Sequence, residues 1–184
     1  MQQRGPWAIT NSVTVYQNPW MSVREDAVVQ PDGKTSVYGT IDFSADGGVR
    51  ILPIDAEGMV YLEKTFKYGT GKEEIDTVAG AIEGGEEPLA AAQRELREEL
   101  GFEAQEWIHL GMAKPLIAYT DHPVHYFLAR QISEVSKEED VNEMVESYRV
   151  SMSEAVAMAL DGRIVNEGAA LLVLKAQAYI DKNR

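Results

Sequence analysis

None of the 184 residues of this chain is cysteine. Disulfides, zinc–thiolate centres and cysteine nucleophiles are therefore excluded. Basic residues are also few. Against 30 Asp and Glu stand only 17 Lys and Arg, for a formal net charge of −13. A nucleic-acid-binding surface wants a basic footprint, and this balance argues against one. No apolar run reaches the length of a membrane span. The opening MQQRGPWAIT lacks the apolar centre of a signal peptide. Internal repeats and low-complexity tracts are missing too. The expectation is a soluble, cytoplasmic protein with a proper core and with neither nucleic acid nor membrane as a partner. An acidic chain that handles phosphate needs bound metal and a few local Lys or Arg to overcome its own field.

What is present concentrates between Gly80 and Phe102, which reads GAIEGGEEPLAAAQRELREELGF. Gly84 and Gly85 break regular structure, and Glu86, Glu87 and Pro88 follow. Proline is at home in a first helical turn, and acidic residues there complement the helix dipole. Strong helix formers come next, and Gly101 supplies a stop signal. The pattern predicts a helix from about Glu87 to Leu100. Leu89, Ala92, Leu96 and Leu100 fall at spacings of three and four and are expected to form its core stripe. Glu95, Glu98 and Glu99 stand at i, i+3 and i+4, so their carboxylates share one turn. Three carboxylates so close repel unless a cation sits among them, and a hard ion such as Mg²⁺ suits oxygen ligands. Taken alone, the run also fits a solvated acidic face.

The spacing decides between these readings. Gly80 is followed by five residues and Glu86, then by seven residues and Arg94-Glu95-Leu96, a spacer, Glu98-Glu99, a spacer, Gly101 and Phe102. This resembles the Nudix box, G-x5-E-x7-R-E-U-x-E-E-x-G-U with U a bulky apolar residue, at every defined position. The resemblance implies a hydrolase with an α/β/α sandwich, α/β in class with a mixed sheet, in which a loop-helix-loop holds Mg²⁺ or Mn²⁺. It implies hydrolysis of a nucleoside diphosphate linked to another moiety. By the same resemblance Glu95, Glu99 and Glu98 are the expected metal ligands, with the backbone carbonyl of Ala79 beside them. Gly80 would let backbone approach the metal, and Glu86 would pair with Arg94 to fix the loop on the helix. The catalytic base is left open between Glu98 and an acid of the loop 133–142 or just beyond, with Glu143 first and Glu139 and Asp140 behind it.

The rest of the chain frames the box. Residues 1–46 read as a strand-rich extension, with strands at Ser12–Tyr16 and Ser36–Phe43 and a turn at Pro31–Lys34. Residues 47–184 read as the hydrolase domain. Strands are expected at Val49–Ile54, Met59–Lys67, Ile75–Ala79, Trp107–Ala113, Val124–Arg130 and Met144–Val150. A helix capped by Ser153 follows, and then a last helix from Asn166 packing through Leu171, Leu172, Leu174, Ala178 and Tyr179.

Three features resemble the ADP-ribose pyrophosphatase branch. They are the length of the extension, the approach Phe66-Lys67-Tyr68-Gly69 with Asp76-Thr77-Val78-Ala79-Gly80, and the downstream Pro115. That resemblance implies a nucleoside diphosphate sugar as substrate and a homodimer formed through the extension. The expected substrate contacts are Lys64, Lys67, Asp76, Pro115 and Tyr119. The chain departs from the branch where Lys64-Thr65 replaces Arg-Gln, Lys67 replaces a second Arg, and Asp76 replaces Glu. Lysine keeps the charge but loses the planar fork that suits phosphate. Tyr16, Trp20, Tyr38 and Tyr119 are candidates for stacking on a base, and His122 and His125 for touching phosphate. Hydrolysis of nucleoside triphosphates or dinucleoside polyphosphates, or nucleotide sensing without turnover, are the alternative readings.

Overall fold

The computed structural model describes residues 2–136 and 146–183. In chain order the elements begin with strands β1 (Gln2–Arg4), β2 (Trp7–Gln17), β3 (Met21–Val29) and β4 (Thr35–Phe43). Then come β5 (Gly47–Pro53), β6 (Met59–Lys67), β7 (Lys72–Asp76) and β8 (Val78–Ile82). Helix α1 (Pro88–Leu100) leads to β9 (Phe102–Ala113), β10 (Val124–Glu134) and β11 (Glu146–Ser151). Helices α2 (Met152–Asp161) and α3 (Glu167–Lys182) end the chain. Among the described residues no helix is long and apolar enough to cross a membrane.

Three sheets organise these strands. The extension is an antiparallel meander in the order β1-β2-β3-β4. The central sheet runs β8-β5-β10-β9, parallel only between β5 and β10. A third, antiparallel sheet has the order β11-β6-β7. The run VRILPI makes β5 buried on both faces, as a continuous apolar strand must be. Its alternate residues separate two cores. Val49 and Ile51 join Val78, Ile82, Leu96 and Phe127 on the α1 side. Leu52 joins Leu62, Leu128, Met158 and Leu172 on the side of α2 and α3. Helices therefore cover both faces of a mixed sheet, the α/β sandwich that the sequence led us to expect.

Local expectations are met in part. Helix α1 starts with Pro88 after Glu87 and ends at Gly101, whose φ of 67° is the left-handed cap that glycine favours. Its buried stripe, however, is Ala91, Ala92 and Leu96, while Leu89 is 40% exposed. At 3.6 residues per turn, Glu95 and Glu99 fall inside the arc between Ala91 and Leu96. The sheet-facing side of the helix is thus shared between small apolar residues and carboxylates, and Leu89 is pushed to the rim. In α3 the buried residues are Ala169, Leu172, Val173 and Ala176, and Leu171 and Leu174 stay partly exposed. The cap of α2 is Ser151, whose hydroxyl accepts from the Glu154 N–H, and not Ser153.

The expected strand Ile75–Ala79 is two strands in different sheets. It breaks at Thr77, with Asp76 paired to β6 and Val78 paired to β5. A buried charge stabilises the break. Asp76 is 3% exposed, and its carboxylate accepts from Arg50 Nη1 at 2.6 Å, from its neighbour's Thr77 N–H at 2.8 Å and from Asn166 Nδ2 at 3.3 Å. Lys67 Nζ stands 3.7 Å away. Asn166 also caps α3 by accepting from the N–H groups of Gly168 and Ala169. A Cβ on Gly168 would lie 2.7 Å from Arg50 Nε, so glycine there lets the helix sit on the guanidinium. Asp76 is therefore the joint between β5, the β7–β8 break and α3. Removing one member of a buried pair strands the other charge, which typically costs about 3 kcal/mol or more. Asp76→Ala is expected to lower stability by about that amount, read as a shift of the urea midpoint; a change below about 1 kcal/mol would contradict this role.

Candidate active site

Strand β8 and helix α1 bring the box together. Gly80 sits on β8 opposite Val49 of β5, and Glu95 lies across it. A Cβ on Gly80 would come within 1.9 Å of the Glu95 carboxylate, so only glycine admits this contact. Glu95 is held with its side chain 12% exposed. One turn on, Glu99 Oε2 accepts from the Ala79 N–H at 3.2 Å. Glu98 points outward, with its side chain 41% exposed.

Arg94 ties this cluster to the preceding loop. Its Nη1 donates to Glu95 Oε1 at 2.7 Å and to Glu98 Oε2 at 3.1 Å. Nε and Nη2 donate to the two oxygens of Glu86 at 3.3 and 3.1 Å, and Nη2 also reaches the Ala81 carbonyl at 3.0 Å. Glu86 in turn accepts from the Glu83 N–H. One guanidinium thus closes the loop onto both strand and helix, as a planar fork with several donors allows. Arg94 holds the Glu86 carboxyl below the usual carboxylate range. Glu95 behaves oppositely. Burial pushes its pKa up to about 7, outweighing the help of Arg94, and the nearby Glu99 and Glu98 add repulsion.

The donor set has the chemistry of a divalent-cation site. It is all oxygen, carries three carboxylates on one turn, and faces a strand stripped of its side chain at Gly80, which suits a hard ion. The crowding that raises Glu95 is the repulsion a cation relieves. Among the described residues no three acidic or imidazole groups are gathered into a cage, because Arg94 is interposed between Glu95 and Glu98. The residues fit a hard ion in their chemistry, and Arg94 supplies the positive charge in this arrangement.

A cavity of about 430 Å³ opens beside the box, walled by Trp20, Phe43, Gly48, Arg50, Gly80 and His122. His122 packs on Phe43 with ring centroids 4.7 Å apart, and burial lowers its pKa, so it is neutral at physiological pH. Next to it a second cavity of about 600 Å³ has Arg50, Lys114, Pro115, Tyr126 and the start of α3 on its walls. Arg50 borders both, and the sequence reading passed over it. The signal was there: a lone charge inside the apolar run VRILPI must be paired.

The other expected contacts are dispersed. Pro115 lines the second cavity, and Tyr119 lines a third one against the extension. Lys67 and Asp76 meet, but Asp76 is buried and its oxygens are engaged by Arg50, Thr77 and Asn166. Lys64 stands apart on β6, paired with Glu73 at 2.9 Å. Trp20 is on the box cavity, whereas His125 turns to His109, 3.2 Å away. Glu139, Asp140 and Glu143 lie outside the described residues.

Known proteins resemble this chain in sequence and in fold. Residues 7–41 match the nucleoside diphosphate sugar hydrolase N-terminal domain, and residues 46–169 match the NUDIX domain. The ADP-ribose pyrophosphatase of Bacillus subtilis (strain 168) is 32% identical over 130 residues, which cover 70% of this chain and 69% of that one. The ADP-ribose pyrophosphatase of Mycobacterium tuberculosis (strain ATCC 25618 / H37Rv) is 28% identical over 171 residues, 91% of this chain and 82% of that one. A crystal structure of an ADP compounds hydrolase superposes with a TM-score of 0.85 at 19% identity, covering 100% of this chain and 98% of the other, and so shares its fold. With a box whose every defined residue is in place and a domain match across most of its length, the chain belongs to the Nudix family of hydrolases.

Proposed function

We propose that this enzyme hydrolyses the pyrophosphate bond of a nucleoside diphosphate sugar of the ADP-ribose kind, releasing a nucleoside monophosphate and a sugar phosphate. The observation that carries the reading is the Glu95–Gly80 contact, which sets a box carboxylate against the strand whose Ala79, Gly80 and Ala81 wall a cavity together with Trp20 and Phe43 of the extension. The match of residues 7–41 to an N-terminal domain of nucleoside diphosphate sugar hydrolases supports the substrate class. So do the two similar ADP-ribose pyrophosphatases.

Glu95, Glu99 and Glu98, with the Ala79 carbonyl, would hold Mg²⁺ or Mn²⁺. Such an ion supplies positive charge against the pyrophosphate oxygens and acidifies water. The chain's own groups do the rest. Gly80 fixes where the Glu95 carboxylate sits, and the Ala79 N–H orients Glu99. Glu86 and Arg94 hold the loop closed. Glu98, whose side chain is 41% exposed against 12% for Glu95, would take a proton from the attacking water, with Glu143 and Glu139 as the rival bases. The water adds hydroxyl to one phosphorus, and the other phosphate leaves with the P–O–P oxygen. Arg50 on the cavity wall offers positive charge to the substrate.

The extension would also join two copies into a homodimer. On the face of its sheet turned away from the loop 114–121, Val13 and Val37 are 50% and 64% exposed. Light scattering should give twice the chain mass, and Val13→Asp with Val37→Asp should give the monomer. A native monomer would remove this part of the reading.

The function itself is tested with a panel of nucleotides and Mg²⁺, coupled to a phosphatase that attacks only products. ADP-ribose or another diphosphate sugar should give the strongest signal; signal from triphosphates or dinucleotides alone would overturn the substrate class. Glu99→Gln is expected to lower kcat by about 100-fold or more while the protein stays folded, a magnitude in keeping with loss of a transition-state contact. Full turnover would contradict the site. Gly80→Ala, which drives a methyl into Glu95, should do comparable damage; unchanged kcat would show that the contact is dispensable.

A further inference from the structure

The chain holds three histidines. One of them, His122, walls the box cavity. The other two, His109 on β9 and His125 on β10, meet on the central sheet. His125 Nδ1 stands 3.2 Å from His109 Nε2, with the ring planes 26° apart. His109 also leans on Phe127, with centroids 5.0 Å apart. His109 is exposed and His125 is half-buried.

A bulge brings a third side chain to the same face. His125 pairs with Met112 and Phe127 with His109, so two residues of β9, Leu110 and Gly111, stand opposite the single Tyr126. Gly111 takes a φ of 91°, in the left-handed range that glycine allows. Without the extra residue, strict alternation would turn Met112 towards the core of α2 and α3. With it, Leu110 and Ala113 pack on that core, and Met112 shares the face of His109 and His125. Residues directly opposite in an antiparallel pair have β-carbons about 5 Å apart. Met112 is 46% exposed, so packing does not account for its position.

The spacing of the two imidazoles is that of neighbouring ligands on one metal ion. Nitrogens bound at about 2.0–2.1 Å lie about 2.9 Å apart at a square corner and about 3.3 Å apart at a tetrahedral one. The observed 3.2 Å falls between. Among the described residues no third histidine, cysteine or carboxylate joins the pair, so further ligands come from the Met112 thioether and from water. Imidazole and thioether are borderline to soft donors, whereas the box offers oxygen alone. Burial, and then the neighbouring His109, lower the pKa of His125, which keeps this ring neutral at physiological pH. The acidic surplus of the chain draws cations to its surface.

We propose that His109, His125 and Met112 form a second metal site that takes Cu²⁺, with His109 Nε2 and His125 Nδ1 as its two strong ligands and the Met112 thioether as a weak third. Cu²⁺ heads the affinity order of the first-row divalent ions, and a distant thioether is a ligand it accepts. The site is separate from the box. Val49, 1% exposed, pairs with both Gly80 and His125, which sets their backbones two interstrand steps, about 10 Å, apart. The proposal does not depend on the hydrolase reading, and no step of hydrolysis runs through the site.

The test is a Cu²⁺ titration of the whole chain in millimolar Mg²⁺, which competes for the oxygen ligands, followed by electron paramagnetic resonance. The native protein should take up one equivalent whose spectrum carries splitting from two imidazole nitrogens. His109→Gln and His125→Gln should each weaken uptake about tenfold or more, at least the cost of losing a contact that merely supports a ligand. Copper left on these variants should show no more than one nitrogen. His109 is exposed, so its variant keeps the fold even where the His125 variant does not. Met112→Leu, close in volume, should weaken uptake about threefold with the two-nitrogen spectrum kept, as befits a weak ligand; unchanged uptake would remove the thioether from the set. Copper held by oxygen alone, or equal uptake by the native protein and His109→Gln, would overturn the site.

Discussion

The carboxylate of Glu95 lies directly on the backbone of Gly80, and the site depends on that contact. It fixes the distance between α1 and β8, because no other residue on the strand would leave room. It buries an acid deeply enough to raise its pKa to about 7. It also explains the small residues on the same helix face: Ala91 and Ala92 let α1 come close, and a larger stripe would lift Glu95 and Glu99 away from the strand. Arg94 then answers the crowded charge by bonding to Glu86, Glu95, Glu98 and the Ala81 carbonyl at once. Packing and electrostatics here are one arrangement. The helix packs tightly because its core is small, and the resulting charge density is what a hard cation would relieve.

A net charge of −13 sets the second constraint. A phosphate-rich ligand must find local positive charge within a repelling field. The fold supplies it sparingly, at Arg50 on the sheet and Lys114 on the loop, each bordering two cavities. Arg50 is itself held by buried Asp76 and sits under the N-terminal turn of α3. The guanidinium is thus fixed by structure on one side while facing cavities on the other. The extension contributes walls to the box cavity and to the one lined by Thr40.

Much of this was legible in the residues, and the limits have physical causes. The box could be read because its chemistry needs fixed residue types at fixed spacing within one loop and one helix. The caps at Pro88 and Gly101 were legible for the same local reason. The break at Thr77 was not, because a chain that changes sheets keeps its extended pattern and only the pairing partner changes. The exposure of Leu89 was missed because an apolar stripe was assumed to hold the core, whereas the carboxylates take part of the buried arc. Arg50, Asp76, Asn166 and Gly168 are far apart in sequence and converge only through the fold. The same holds for His109, Met112 and His125, which a bulge between neighbouring strands places on one face.

The central claim is that Glu95, set on Gly80, anchors a divalent-cation site. The most direct measurement is a Mn²⁺ titration followed by electron paramagnetic resonance, which reports free ion, on the native protein and on Glu95→Gln. The account predicts saturable uptake by the native protein and at least tenfold weaker uptake by the variant, as expected when one charged ligand is lost from the ion. Equal uptake by the two proteins, or none by the native one, would contradict it.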